Sequence, residues 1–176
     1  PGMCLPEQIG GGGAPLTTGA IVADLVGEFV APLPFIEHLV ASRLLASLAP
    51  DHDLIPALIS GEKIISLALQ PTKDDHAELV PAGAIADAVV ACKGNDLVLA
   101  SGGKTASLLR NTADLPLAHR TLNGAETIAS GDAAVESFSR ARSEWQALMA
   151  VALTGLGRKA VDIGVSYAKE RYQFGV

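Results

Sequence analysis

Between Asp132 and Tyr172 the chain has no proline, and Phe138, Ala141, Trp145, Leu148, Ala152, Leu156, Ala160, Ile163 and Tyr167 recur at steps of three or four residues. Apolar side chains at that spacing fall on one face of an α-helix, so the stretch predicts one continuous helix. At 1.5 Å per residue, roughly 40 residues make a rod of about 60 Å. A rod that long outruns any single small domain, and its apolar stripe needs partners to be stable in water. Whatever the chain folds into must be built around this helix and must leave part of it uncovered or shared.

The remaining residues divide into two regions of different periodicity. Gly10 to Gly13 are four consecutive glycines, a stretch of high backbone freedom, followed by Pro15 and by Thr17 and Thr18 as candidate helix caps. Ile21, Val22, Leu25, Val26 and Phe29 then predict a helix that ends at Ala31-Pro-Leu-Pro34. Phe35, Ile36, Leu39, Val40, Leu44 and Leu45 predict a second, broken at Ala49-Pro-Asp51, and Asp53 to Ile59 a short third closed by Ser60-Gly61. The pattern changes at Lys63-Ile-Ile-Ser-Leu-Ala-Leu69. This run, Asp87-Ala-Val-Val-Ala-Cys92 and Asp96-Leu-Val-Leu-Ala100 are short strands, with Gly94-Asn95 as a turn. Gly102-Gly103, Leu115-Pro116 and Asn123-Gly124 punctuate a further stretch whose strands are brief.

Composition narrows the function classes. An apolar content of 49% over 176 residues supplies a core and excludes disorder, and a formal charge of -6 argues against nucleic acid or an anionic membrane as the main partner. No run is apolar for the roughly 18 residues a membrane span needs. Cys4 and Cys92 stand far apart without a metal-ligand pattern, which predicts free thiols in a reducing, cytoplasmic compartment and no metal site. His38, His52, His76 and His119 are scattered outside any triad or metal spacing and read as surface or loop residues. The glycines are not preceded by a strand and lack a Gly-Lys-Ser/Thr or GxGxxG frame, so they do not predict a phosphate cradle. The start at Pro1 and the stop just after a strong helical pattern suggest that both ends are cut.

Three segments carry a resemblance to a known family. Ala160-Val-Asp-Ile-Gly-Val-Ser-Tyr-Ala-Lys-Glu-Arg-Tyr-Gln-Phe-Gly175 looks like the helix of acyl-CoA dehydrogenases that ends at the flavin. Leu5-Pro-Glu-Gln-Ile-Gly-Gly-Gly-Gly13 is similar to that family's Pro-Glu-x-x-Gly-Gly-x-Gly loop, and Pro56-Ala-Leu-Ile-Ser-Gly-Glu-Lys-Ile-Ile-Ser-Leu-Ala-Leu69 to its passage from helix into the first strand of the β domain. Their order and spacing extend the resemblance over nearly the whole chain. It implies an α+β, acyl-CoA dehydrogenase-like fold: residues 1–61 as part of an N-terminal helical domain, 62–130 as a reduced β domain, and 131–176 as the first helix of a C-terminal helical bundle. By the same resemblance the glycine loop is a flexible connector on the acyl-chain side of the site.

The resemblance also implies a function. A flavoprotein oxidoreductase of this family acts on the CH-CH group of an acyl-CoA thioester, as in fatty acid β-oxidation, with bound FAD, an electron-transfer flavoprotein as acceptor, and a dimeric or tetrameric assembly. Arg171, Gln173 and Phe174 match positions that reach the FAD of a neighbouring subunit, where a guanidinium binds pyrophosphate and an aromatic ring packs on the cofactor. A basic residue also suits a helix C-terminus on dipole grounds alone, and Phe174 suits a packing staple. The family's Thr-Glu-Pro turn and Trp-x-Thr segment are replaced by Leu69-Gln-Pro-Thr-Lys-Asp-Asp75 and Leu79-Val-Pro-Ala-Gly83, so hydroxyl and indole partners of a flavin are absent.

The chemistry needs a carboxylate to remove the α-proton while hydride leaves the β-carbon. Most members of the family place it beyond the point this chain reaches, so no catalytic residue is expected within it. A minority place it on the long helix about 26 residues before the Arg of the terminal motif. That position is Trp145, with Glu144 one residue and about 100° away, expected to be a solvated helix acid. Trp145 in that slot narrows an acyl pocket or belongs to the core. The alternative function is a non-catalytic partner subunit that contributes to a neighbour's FAD site.

Overall fold

A computed structural model describes residues 1–102 and 108–173. Two short 3-10 turns, Gly2–Cys4 and Glu7–Ile9, precede helices α1 (Leu16–Glu28), α2 (Phe35–Leu48) and α3 (Ile55–Ser60). Strands β1 (Ile65–Leu67), β2 (His76–Val80), β3 (Ala88–Lys93), β4 (Asp96–Ser101), β5 (Ala118–Thr121) and β6 (Glu126–Ser130) follow. The chain ends in α4 (Asp132–Glu170), a single helix of 39 residues. The α+β class, the three N-terminal helices, three of the strands and the long helix agree with the sequence pattern. The cap does not: α1 is entered from Pro15 without any side-chain cap, and neither Thr17 nor Thr18 serves.

The sheet order is β1-β3-β4-β6, with β1 and β3 parallel and the other pairs antiparallel, while β2 and β5 form a separate two-stranded sheet. Alternation along β3 and β4 assigns two cores. Ala88, Val90, Leu97 and Leu99 face α2 and α4 in the main core, and Val89, Ala91, Val98 and Ala100 face Ala77, Val80, Ala86 and Leu122 in a smaller one. Both faces of these strands are covered, which is why they read as continuous apolar runs rather than alternating ones.

The glycine run packs tightly, contrary to the expected flexible connector. Gly10 and Gly11 donate to the carbonyls of Glu7 and Pro6, Gly12 to Gly2, Gly13 to Leu5 and Ala14 to Met3, at 2.9 to 3.0 Å. A Cβ at Gly11 or Gly12 would overlap the Leu5 or Met3 carbonyl, and Gly13 has φ +64. Glycine is required here for close backbone approach, and the loop is a folded knot. Its N–H groups are spent on the chain itself, consistent with the absence of a phosphate cradle.

The long helix is seated by a heptad-like row. Ala134, Phe138, Ala141, Leu148, Ala152 and Gly155 are buried, with Trp145 half-buried in the same row. At its end α4 crosses α1 backbone to backbone: a Cβ on Gly27 would overlap the Ala152 carbonyl oxygen, and one on Gly155 the carbonyl oxygen of Asp24. Arg158 closes the crossing with bonds to Asp24 at 2.6 Å and Glu28 at 3.6 Å. Beyond Gly155 the row continues as Lys159, Asp162, Ser166 and Lys169, and the side of α4 that faces the body turns polar. Leu153, Leu156, Val161, Ile163, Val165 and Tyr167 remain exposed. The predicted stripe is therefore buried from Phe138 to Ala152 and uncovered from Leu156 onward.

This crossing separates two glycines that a sequence scan would treat alike. Gly155→Ala inserts a methyl into a carbonyl contact and is expected to destabilise the chain by about 1–3 kcal/mol. Gly157→Ala, where an added Cβ meets nothing within 4 Å, is expected to stabilise by roughly 0.5–1 kcal/mol through helix propensity. Urea midpoints of the two variants moving in the same direction would contradict the backbone crossing.

Candidate functional site

The side chains predicted to reach a flavin stand at the free end of α4. Arg171 is the C-cap residue and is exposed, with its guanidinium 5.3 Å from the centre of the Tyr167 ring. The Gln173 side chain lies beside it and, with its amide oxygen turned inward, accepts from Arg171 Nε at 3.3 Å. No carboxylate among the described residues pairs with Arg171. The guanidinium lies over the Tyr167 ring and Gln173 takes both its Nε and Nη2, so among the described residues Nη1 keeps its N–H groups for an anion such as a phosphate. Phe174 lies outside the described residues.

About 40 Å back along the helix, Glu144 and Trp145 bind α2. Arg43 donates to both Glu144 oxygens, Nε at 3.1 Å and Nη2 at 3.3 Å, and through Nη1 to the Cys4 carbonyl at 3.0 Å. Glu144 is thus a half-buried ion pair joining α4 to α2 and the N-terminal knot, not the solvated acid expected. Trp145 packs against the main core, and its indole N–H donates to Glu37 at 3.3 Å. Burial holds the Glu37 carboxyl above its ordinary range, against the opposing pull of its own backbone N–H and the indole. Neither residue is disposed as a free base: one carboxylate is closed on Arg43, and the slot beside it holds an indole. Shallow cavities of about 360 Å³ and 300 Å³ lie either side of Arg43.

In the β region, the stretches 69–75 and 79–83 are pinned inward. Thr72 Oγ1 donates to the Cys92 carbonyl at 2.9 Å, and Ser66 Oγ to that of Pro81. Arg120 is buried and donates to the carbonyls of Gly83, Ala86 and Gly102 at 2.8 to 2.9 Å. Its role was not anticipated, although Ala118, Arg120 and Leu122 alternate on one face and place the guanidinium inside. Leu79 has φ +51 and its N–H donates to His119 Nδ1 at 3.3 Å.

The histidines divide. His76 and His119 are exposed, and His52 meets Glu126 at 3.3 Å. His38, expected at the surface, is buried: Nε2 donates to the Leu58 carbonyl at 3.1 Å while Nδ1 accepts from Ile65 N–H at 3.4 Å. It ties α2 to the end of α3 and the start of β1, a role invisible to motif spacing. Cys4 is buried and Cys92 half-buried, both free, and burial raises both thiols. No cluster of metal ligands occurs among the described residues, and none of their helices is long and apolar enough to cross a membrane.

Three helices, a small β region and one long helix leaving the body define the acyl-CoA dehydrogenase-like fold. In the ChsE4-ChsE5 complex from Mycobacterium tuberculosis, a chain matches 98% of this one with TM-score 0.77 and 22% identity, and 55% of that chain is covered. A glutaryl-CoA dehydrogenase from Mycobacterium smegmatis in complex with FADH2 matches with TM-score 0.71 and 13% identity, over 98% and 55% of the two chains. No family model matches. Acyl-CoA dehydrogenases IpdE2 of Mycolicibacterium smegmatis and Mycobacterium tuberculosis are 28% and 27% identical over 98% of this chain. Sequence likeness along nearly the whole chain and the shared fold together support a resemblance to the acyl-CoA dehydrogenase family. It spans 51% of the length of these two curated relatives.

Burial lowers the proton affinity of His38, so the folded state holds it neutral below the ordinary value of about 6.5. Its contribution is complete above that value and is lost as pH falls through the depressed one, because the unfolded chain takes up the proton first. The urea-midpoint difference between wild type and His38→Gln should shrink from pH 7.5 to pH 5. A difference that is constant or grows on acidification would contradict the two hydrogen bonds assigned to the imidazole.

Proposed function

We propose that this chain is part of an acyl-CoA dehydrogenase that oxidises the CH-CH bond next to an acyl-CoA thioester, with FAD and with an electron-transfer flavoprotein as acceptor. The observation that carries the reading is the exposed Arg171 beside Gln173 at the end of α4, unpaired with any carboxylate of the described residues, in a chain similar to acyl-CoA dehydrogenases over 98% of its length. Arg171 and Gln173 are the residues that would hold FAD, through its pyrophosphate. Bound flavin supplies the hydride acceptor. The chain's own part is to fix the guanidinium by stacking on Tyr167 and to present it at the tip of a seated helix.

In this reading α4 is the first helix of a C-terminal helical bundle, 62–130 a reduced β domain, and 1–61 part of an N-terminal helical domain. At about 100° per residue, Leu153, Leu156, Gly157, Ala160, Val161, Ile163, Gly164, Val165, Tyr167 and Ala168 occupy an arc of about 200° on the far side from α1. One packed face needs about 100°, so the arc suits helices on two sides. The proton-abstracting carboxylate belongs outside this chain, since Glu144 is bound to Arg43.

A second reading, a non-catalytic partner subunit, is favoured by a specific feature of the β region. Leu69-Gln-Pro and Leu79-Val-Pro offer no side-chain hydroxyl, and the Pro81, Gly83 and Ala86 carbonyls beside the second are engaged internally. That leaves Arg171 and Gln173 facing a neighbour's flavin. The solved ChsE4-ChsE5 neighbour is itself a complex of two differently named chains.

Arg171→Ala is expected to weaken FAD binding in the assembled protein by about 1.5–3 kcal/mol, tenfold or more, the worth of a hydrogen bond to a charged group. The intact protein purified alone separates the two readings. Flavin near one per chain supports a self-sufficient dehydrogenase; a colourless protein that raises flavin occupancy in a co-expressed complete dehydrogenase supports the partner. An unchanged FAD affinity in Arg171→Ala would remove the helix-end argument from both.

A further inference from the structure

We infer that the cleft between α2 and α4 beside Arg43 is a site for a tetrahedral oxyanion, with phosphate as its simplest occupant. The cleft holds about 300 Å³ and is lined by Arg43, Ser47, Ser137, Arg140 and Glu144 over a floor of Leu44 and Ala141. Its charges do not cancel. Glu144 is closed on Arg43, which leaves Arg140 as a second guanidinium against a single carboxylate. Among the described residues no carboxylate pairs with Arg140, and its hydrogen-bond partner there is the Ser137 hydroxyl at 3.1 Å. The chain as a whole carries a formal charge of -6, so a concave spot with an excess of cation runs against its average surface.

The donors come from two walls. Ser47 stands on the last turn of α2, and Ser137 and Arg140 stand on α4. Both hydroxyls bond backwards along their own helices, Ser47 to the Leu44 carbonyl at 2.8 Å and Ser137 to that of Ala133 at 2.9 Å. Such bonds are local, and a hydroxyl turns from one to an incoming anion without any movement of its helix. A planar carboxylate would be saturated by the guanidinium fork alone, whereas tetrahedral oxygens engage the fork and both hydroxyls together. Leu44 and Ala141 are buried, so the floor is a low-dielectric wall that focuses the field of Arg140 into the cleft. The site lies about 45 Å along α4 from Arg171, stands apart from the flavin reading and is tested without flavin.

The test titrates the intact protein with inorganic phosphate, against chloride at equal ionic strength, and follows the Arg140 Nε–H and the Ser47 and Ser137 amide resonances. Shifts that saturate with phosphate and not with chloride are expected. Arg140→Gln, an exposed change that keeps a hydrogen-bonding side chain, should weaken phosphate binding several-fold, and Ser47→Ala on the opposite wall should weaken it too. Arg142→Gln is the control: Arg142 is exposed two residues further on, about 200° round the helix, and does not line the cleft. Phosphate affinity should be unchanged there. Methyl phosphate titrated in parallel identifies the source, since binding at least as tight as that of phosphate assigns an esterified ligand, and binding of phosphate alone assigns the free ion. A response linear in phosphate, one that chloride reproduces, one that Arg140→Gln and Arg142→Gln diminish equally, or full affinity in Ser47→Ala would overturn the site.

Discussion

The backbone crossing of α1 and α4 is the contact on which the rest of this structure depends. A helix of 39 residues cannot be held along its whole length by a body this small, so it must be gripped firmly where the body reaches it. Gly27 and Gly155 let two backbones meet without intervening side chains, and the acids of α1 close on Arg158 and Lys159 just beyond. The grip fixes both the direction of α4 and the point where its environment changes. Before Gly155 the inward side is apolar; after it, the same side is lysine, aspartate and serine. The apolar surface moves to the far side, where α1 and α2 cannot cover it.

The N-terminal knot and the polar seam serve the same end by different physics. Packing alone would allow α2 to slide along α4, since alanine and leucine rows fit at more than one register. Arg43 removes that freedom, because a bidentate bond to Glu144 and a bond to the Cys4 carbonyl can be satisfied together at one register only. The glycines extend this inward, folding residues 2–14 into a surface to which Arg43 can reach. The pair is half-exposed, so its net contribution to stability is modest and its value lies in specificity.

Much of this was legible from residue pattern because it follows from periodicity. The long helix, α1, α2 and strands β3 and β4 are written in apolar spacing, and their bounds differ from expectation by a few residues. The α+β order followed from the run of helices, short strands and one long helix. What was not legible depends on contacts between residues far apart in the chain. Nothing local marks Glu144 as the partner of Arg43, 101 positions away, or His38 as a bridge to Ile65. The glycine run misled for a physical reason: freedom in an isolated chain is also what permits the closest packing in a folded one.

The two ends of α4 answer to different demands. Near Trp145, where a minority of the family would carry a proton-abstracting carboxylate, the helix is committed to holding α2. Some 40 Å away, Arg171 lies, among the described residues, against Tyr167 and Gln173. Substitution at the first end is constrained by the main core, and at the second by whatever binds the guanidinium.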